Sequence, residues 1–186
     1  MRSAFFGFGA APVALGIGLV CLVVPAPAEA KPQWNAGLET ALCGLGSSLS
    51  ISRAAWCNAL HADVLLLKQR SSDFGIGPSL RIGTAAFDDV RLDAGLSAWL
   101  PVFGEFPLLL EAGPHVRNFD ELGLFGSAFF GLRTFNHYGS YSMSTGLVLT
   151  VEQSLAAGRP SAWWLALRID GSWLALPFLL GYESLK

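Results

Sequence analysis

Charge is what this sequence has least of. Lys, Arg, Asp and Glu make up 14% of its 186 residues, against roughly 25% in ordinary soluble domains, and the mean hydropathy is +0.47. The length suits one domain, but so few charges cannot build that domain a solvated skin. Basic runs are absent and the formal net charge is −2, which argues against a nucleic-acid partner. Three histidines and three cysteines share no metal-ligand spacing, so no metal and no cofactor is expected. Beyond residue 30 the chain also lacks an apolar run that could span a membrane as a helix. The stretch "SWLALPFLLGY" near the end is about half of the ~20 residues required and contains Pro177.

What is present begins with an export signal. Arg2 precedes the apolar stretch "FFGFGAAPVALGIGLVCLVV" at 5–24, and "PAPAEA" ends in Ala28-Glu29-Ala30, a small-x-small pattern. Residues 1–30 therefore read as a signal peptide cut before Lys31. Pro12, Pro25 and the glycines argue against the alternative of a spanning helix. Bulky Val20, just before Cys21, argues against a lipoprotein.

The rest of the chain alternates. In "RLDAGLSAWL" the odd positions are Arg91, Asp93, Gly95 and Ser97, and the even ones are Leu92, Ala94, Leu96, Ala98 and Leu100. A period of two marks a strand with two unlike faces. The pattern recurs in eight segments, 34–44, 57–69, 75–87, 90–101, 106–117, 124–135, 141–154 and 161–172, separated by turn signals such as "SSDFG", "NFDELG" and "AAGRPS". Each segment reaches the roughly 9–11 residues that a tilted strand needs to cross a bilayer. One face collects Glu39, His61, Asp63, Arg81, Arg91, Asp93, Glu111, His115, Arg117, Arg133, Glu152, Arg168 and Asp170. Among these, six acids nearly balance five arginines, and Lys68 alone falls in the apolar register.

This pattern predicts an all-β fold. Residues 31–186 form a closed antiparallel up-and-down transmembrane barrel of about eight strands, with 173–186 an irregular apolar tail or strand extension. An exported apolar chain without a spanning helix has the barrel as its route into a membrane. A lumen this narrow is filled by side chains, so the charged face is expected inside as a salt-bridge network and the Leu/Ala/Val face toward lipid. The alternative is a soluble lipocalin-like periplasmic barrel, with the apolar face lining a ligand cavity. Trp34, Trp56, Phe74, Phe87, Trp99, Phe103, Phe106, Phe119, Phe135, Tyr138, Tyr141 and Trp163 fall near segment ends, as two interfacial girdles would.

On this pattern the chain resembles the small outer-membrane barrels of Gram-negative bacteria, the OmpA/OmpX type, over residues 33 to about 172. The resemblance implies a monomer in the bacterial outer membrane. Its partners would be outer-membrane lipid and, during biogenesis, the barrel-assembly machinery, with no extracellular partner specified. It implies a structural or loop-mediated binding role more than an activity.

Candidate chemistry is sparse. Cys43 and Cys57 flank the connection between the first two strands, where they are either a disulfide or two buried thiols. In "RTFNHYGSYS", His137 with Ser140 or Ser142 and a carboxylate such as Glu152 supply the parts of a serine hydrolase. The stretch looks faintly like the His-x-Ser motif of outer-membrane lipid A deacylases, but two residues separate His137 from Ser140. A transport pore is disfavoured, because a lumen of mixed charge offers no selectivity ring. Finally, "IGPSLR" and "AGPHVR" share Gly-Pro-x-aliphatic-Arg at 77–81 and 113–117. Proline has no ladder donor, so each is expected to mark a bulge or bend in the wall.

Overall fold

A computed structural model describes residues 31–45, 54–67, 74–103, 106–135 and 141–173. Residues 1–30, the stretch containing His137, Tyr138 and Ser140, Lys68, and residues 174–186 lie outside the described residues. Eight antiparallel strands in sequence order close into a single barrel: β1 (Lys31–Leu45), β2 (Ala55–Leu67), β3 (Gly75–Ala85), β4 (Asp89–Phe103), β5 (Phe106–Arg117), β6 (Glu121–Phe135), β7 (Ser142–Ser154) and β8 (Ala162–Asp170).

The period of two decides the faces. Glu39, Asp63, Arg81, Asp93, Arg133 and Arg168 point inward and are at most 4% exposed, whereas Leu60, Leu96, Leu124 and Leu147 stand outward at 54–64%. No charged residue occupies an outward position on the described strands. Two of the few polar outward residues, Thr40 and Asn58, are cross-strand partners and share a 3.2 Å hydrogen bond, Thr40 Oγ1 donating to Asn58 Oδ1. A lipocalin-type barrel needs the opposite polarity, so the apolar-cavity expectation is not what the chain folds into.

Two hairpins are closed by three-residue connections, 86–88 and 118–120. Ala86-Phe87 and Asn118-Phe119 all have positive φ, from 50° to 65°. Asp88 N donates to Ala85 O at 3.2 Å, and Asp120 N to Arg117 O at 3.2 Å. These are type I′ turns, whose twist matches that of the flanking strands. They leave Phe87 and Phe119 as the most exposed aromatics, at 77% and 78%. With Trp56 they ring this end, while Trp34, Phe74, Phe103 and Phe106 ring the other. Trp99 does not belong to a girdle as expected. It shares the inward register of Asp93 and Ser97 and is fully buried. Trp163, at 7% exposed, is also covered.

The Gly-Pro elements interrupt the wall without bulging it. Between β2 and β3 the ladder runs from Asp63↔Ser79 to Leu66↔Ile76, skipping Gly77 and Pro78. Between β4 and β5 it runs from Asp93↔His115 to Leu96↔Ala112, skipping Gly113 and Pro114. The register is the same on both sides of each gap. Each proline therefore removes a rung, and the recorded register shift lies elsewhere, between Leu100 and Phe103.

Inward glycines let neighbouring strands and rings close up. Gly131 and Gly146 face each other on β6 and β7. A Cβ on Gly131 would fall 2.3 Å from Thr145 O and 2.4 Å from Gly146 Cα. Gly131→Ala is accordingly expected to cost about 1–3 kcal/mol, as overpacking does, read as a lowered urea midpoint. Gly126→Ala, on the outer face with nothing within 4 Å, is the matched control and is expected to leave the midpoint unmoved.

Strand β8 is short, and its end leaves a seam. Its last rungs are Gly37↔Asp170 with β1 and Thr145↔Ile169 with β7. Below them β1 and β7 meet through a parallel bridge, Trp34↔Tyr141. Side chains take the place of the missing strand there. Ser142 Oγ donates to Trp34 O at 3.4 Å, and the Tyr141 hydroxyl lies 3.2 Å from Ala36 O. An exposed strand edge is thus covered rather than left as a template for pairing.

Candidate functional site

The lumen is one connected polar network with aromatic floors, and alternation puts every member there. At the seam end, Arg133 holds Asp63 in a fork, Nη2 to Oδ1 at 2.6 Å and Nη1 to Oδ2 at 3.0 Å, and donates Nε to Ser142 Oγ at 3.0 Å. In the middle, Arg168 donates Nε to Glu39 Oε1 at 2.8 Å and Nη2 to Glu111 Oε2 at 3.4 Å. Toward the opposite rim, Arg81 donates Nε to Asp93 at 2.6 Å, Nη1 to Thr150 Oγ1 at 2.6 Å and Nη2 to Glu152 at 3.0 Å. Arg91 pairs with Glu152 and with Asp89, and Arg117 takes Asp89 through Nε and Nη2 at 2.8 and 2.7 Å.

Histidines bridge carboxylates in two places. His61 Nε2 lies 2.8 Å from Glu111 and 3.8 Å from Asp63. His115 lies 2.6 Å from Asp93 through Nδ1 and 3.8 Å from Glu152 through Nε2. In each group the three potential ligand atoms lie within 4.8 Å of one another, close enough to hold a cation in principle. The arginines oppose that use. Asp63, Glu111, Asp93 and Glu152 are each already bound by Arg133, Arg168, Arg81 or Arg91. A metal would have to displace a guanidinium and leave it buried without a partner.

Asp170 is built differently. It is fully buried and accepts from neutral groups: Asn35 Nδ2 at 2.7 Å, the Tyr141 hydroxyl at 2.7 Å, Ser172 N at 2.7 Å and Ser144 N at 3.3 Å. No cation pairs with it among the described residues. Multiple donors stabilise a buried carboxylate in place of an ion pair. Burial, and then donation to Asp170, raise the Tyr141 hydroxyl pKa above its usual value, so the tyrosine stays a donor. This carboxylate locks the seam between β1, β7 and β8.

Four inward aromatics complete the lumen, and each lies beneath a guanidinium. Arg133 sits over Trp99 at 5.4 Å, Arg168 over Phe129 at 5.0 Å, Arg81 over Trp164 at 5.1 Å and Phe125 at 5.9 Å, and Arg91 over Trp164 at 4.9 Å. Such contacts are worth about 0.5–2 kcal/mol each, more when desolvated. The ring of Phe129 in turn lies against the bare face of Gly146, so a glycine makes room for the ring that carries Arg168.

Cys43 and Cys57 both face inward, form a disulfide with a Cα–Cα distance of 6.0 Å, and sit diagonally across the β1–β2 ladder. Of the hydrolase candidates, His137 and Ser140 lie outside the described residues, and the two described ones, Ser142 and Glu152, do not come together. Glu152 is held by Arg81, Arg91 and His115 at the far end of β7 from Ser142, ten residues away or roughly 33 Å along a strand. Ser142 itself is fully buried, accepts from Arg133 and donates to Trp34 O. A hydroxyl so engaged has no base among the described residues and no open path to substrate.

The chain matches no protein-family model, no curated protein and no solved structure.

Proposed function

We propose that this chain is a small outer-membrane β-barrel protein of a Gram-negative envelope, exported by a cleaved leader, with a non-enzymatic role as a wall element or through its rims. One observation carries the reading: the barrel is inside-out relative to a soluble protein. Its strand charges are paired in the interior, and the described outer face offers only apolar and a few uncharged polar side chains. In water that face would be an apolar patch far above the few hundred Å2 that soluble monomers tolerate. In a bilayer it is the band that a spanning barrel requires. Aromatic rings at both ends, including Trp56 and Phe119 at one rim and Trp34 and Phe106 at the other, fit its two interfaces.

The packed lumen supports a role other than conduction. Arg133, Arg168, Glu39 and Trp99 are at most 1% exposed, and narrow barrels are filled in this way. Cell fractionation with gel electrophoresis tests the assignment. The expected result is a band in the outer-membrane fraction that migrates faster unheated than boiled. A soluble periplasmic protein of constant mobility would refute it.

A further inference from the structure

At the rim that carries the β3–β4 and β5–β6 turns, the lumen opens into a vestibule of about 560 Å3, within the roughly 300–1,000 Å3 typical of small-molecule sites. Its two walls differ. One is small and apolar, formed by Cys43, Ala55 and Ala85. The other carries Asp88, Asp89, Arg91, Arg117 and Asn118.

Hydrogen-bond accounting on the charged wall leaves donors in surplus. Asp89 is consumed, taking Arg117 through both oxygens and Arg91 Nη2 at 2.9 Å. Arg91 is 3% exposed, and its Nε has no partner. That N–H shares a guanidinium edge with Nη2, which Asp89 takes on the same wall. Asn118 accepts from Val90 N through Oδ1 at 2.9 Å, and its amide nitrogen has no acceptor among the described residues. Arg117 Nη1 has no acceptor among the described residues. The guanidinium of Arg91 is held in place by Glu152 and by the Trp164 ring 4.9 Å away, so the donor edge is preorganised.

The acidic counterpart is Asp88. It is exposed in the turn, and its carboxylate has no ion pair among the described residues. Among the described residues the lining thus holds two arginines and two aspartates, with donors on one part and an unpaired carboxylate on another. A lone anion would meet Asp88, and a lone cation would meet the donor edge. We propose that the vestibule binds a compact zwitterion, its oxyanion on the Arg91–Arg117–Asn118 edge and its ammonium toward Asp88. The phosphoethanolamine group, free or as a lipid headgroup, has this chemistry. The site needs only the barrel and not its location, so its failure would leave the envelope reading standing.

The test is calorimetric titration of the full chain, refolded in detergent micelles, with O-phosphoethanolamine, inorganic phosphate and ethanolamine. Phosphoethanolamine is expected to bind saturably and about tenfold or more tightly than either half, which is 1.4 kcal/mol. Arg117→Gln should weaken phosphoethanolamine and phosphate together. Asp88→Asn should remove only the advantage over phosphate. Heat-modifiable mobility checks that each variant is folded. If either fails that check, Ala55→Leu narrows the vestibule from the apolar wall and should abolish binding. A parallel titration with lysophosphatidylethanolamine separates the two sources, because binding of both forms identifies a headgroup site and binding of the free form alone a solute site. The proposal is overturned if phosphoethanolamine shows no saturable binding, if phosphate alone binds as well, or if binding survives all three changes.

Discussion

Arg168→Leu will cost the barrel about 3–5 kcal/mol, the range for removing one partner of a buried ion pair. The arginine is fully buried, its Nη2 lies 2.7 Å from Glu39 and 3.4 Å from Glu111, and it stacks on Phe129 at 5.0 Å. Leucine fills much of the volume but leaves two carboxylates facing each other. Among the described residues, Glu39 would keep as a charged partner only Arg81, 3.7 Å away, and Glu111 only His61, besides the Ser97 hydroxyl at 3.4 Å. The loss is therefore uncompensated charge more than lost packing. Adding Glu39→Gln to the variant removes one of those charges and is expected to recover part of the stability. Equilibrium urea unfolding in micelles, followed by tryptophan fluorescence, reads both. A loss below about 1 kcal/mol, the scale of an exposed pair, would mean that water enters the lumen and that the network is not dry.

The second large effect is on the opposite face. Leu147 stands outward near the middle of β7, at 58% exposed. On a soluble barrel, Leu147→Arg would stay within the ±0.5 kcal/mol or so of surface substitutions. In a bilayer an arginine near the midplane costs about 2–4 kcal/mol, falling to about 0–1 near the interfaces. Phe87→Arg at the turn tip is the paired control and is expected to be nearly neutral. Unfolding of both variants from lipid vesicles should separate them by at least about 2 kcal/mol. Equal costs would remove the case for a lipid-facing outer surface.

Much of this was legible in the sequence because the side-chain period of a strand is two. Once Arg91 and Asp93 share a face against Leu92 and Ala94, every other residue of that strand is assigned, and the eight segments follow to within a few residues at each end. The in/out choice came from composition, since Gly, Ser and a few balanced charges make a poor coat for water but a good filling for a narrow lumen. The same parity could have located the aromatic floors. Trp99 has the parity of Asp93, Phe125 and Phe129 that of Arg133, and Trp164 that of Arg168. The nearness of Trp99 to a strand end suggests a girdle, but that position says nothing about which face the ring takes.

Other features were not readable. Which carboxylate meets which arginine depends on the stagger between strands that are distant in sequence, as with Arg81 and Glu152. The premature end of β8 and the Asp170 lock depend on side chains from three strands meeting at one seam. The Gly-Pro elements announced an irregularity, but whether they would shift the register or only drop a rung is set by the neighbouring strand.

The central claim is that the Leu face meets lipid and the charged face does not, and adjacent positions on one strand test it most directly. Single spin labels introduced at Leu147→Cys and Val148→Cys, in the chain refolded into lipid bilayers, differ in face alone, since Val148 is fully buried and the native Cys43–Cys57 bridge does not take label. The account predicts that the label at 147 collides freely with lipid-soluble oxygen and hardly at all with a water-soluble nickel chelate, while the label at 148 meets neither. A label at 147 that is reached by the nickel chelate as readily as by oxygen would contradict it.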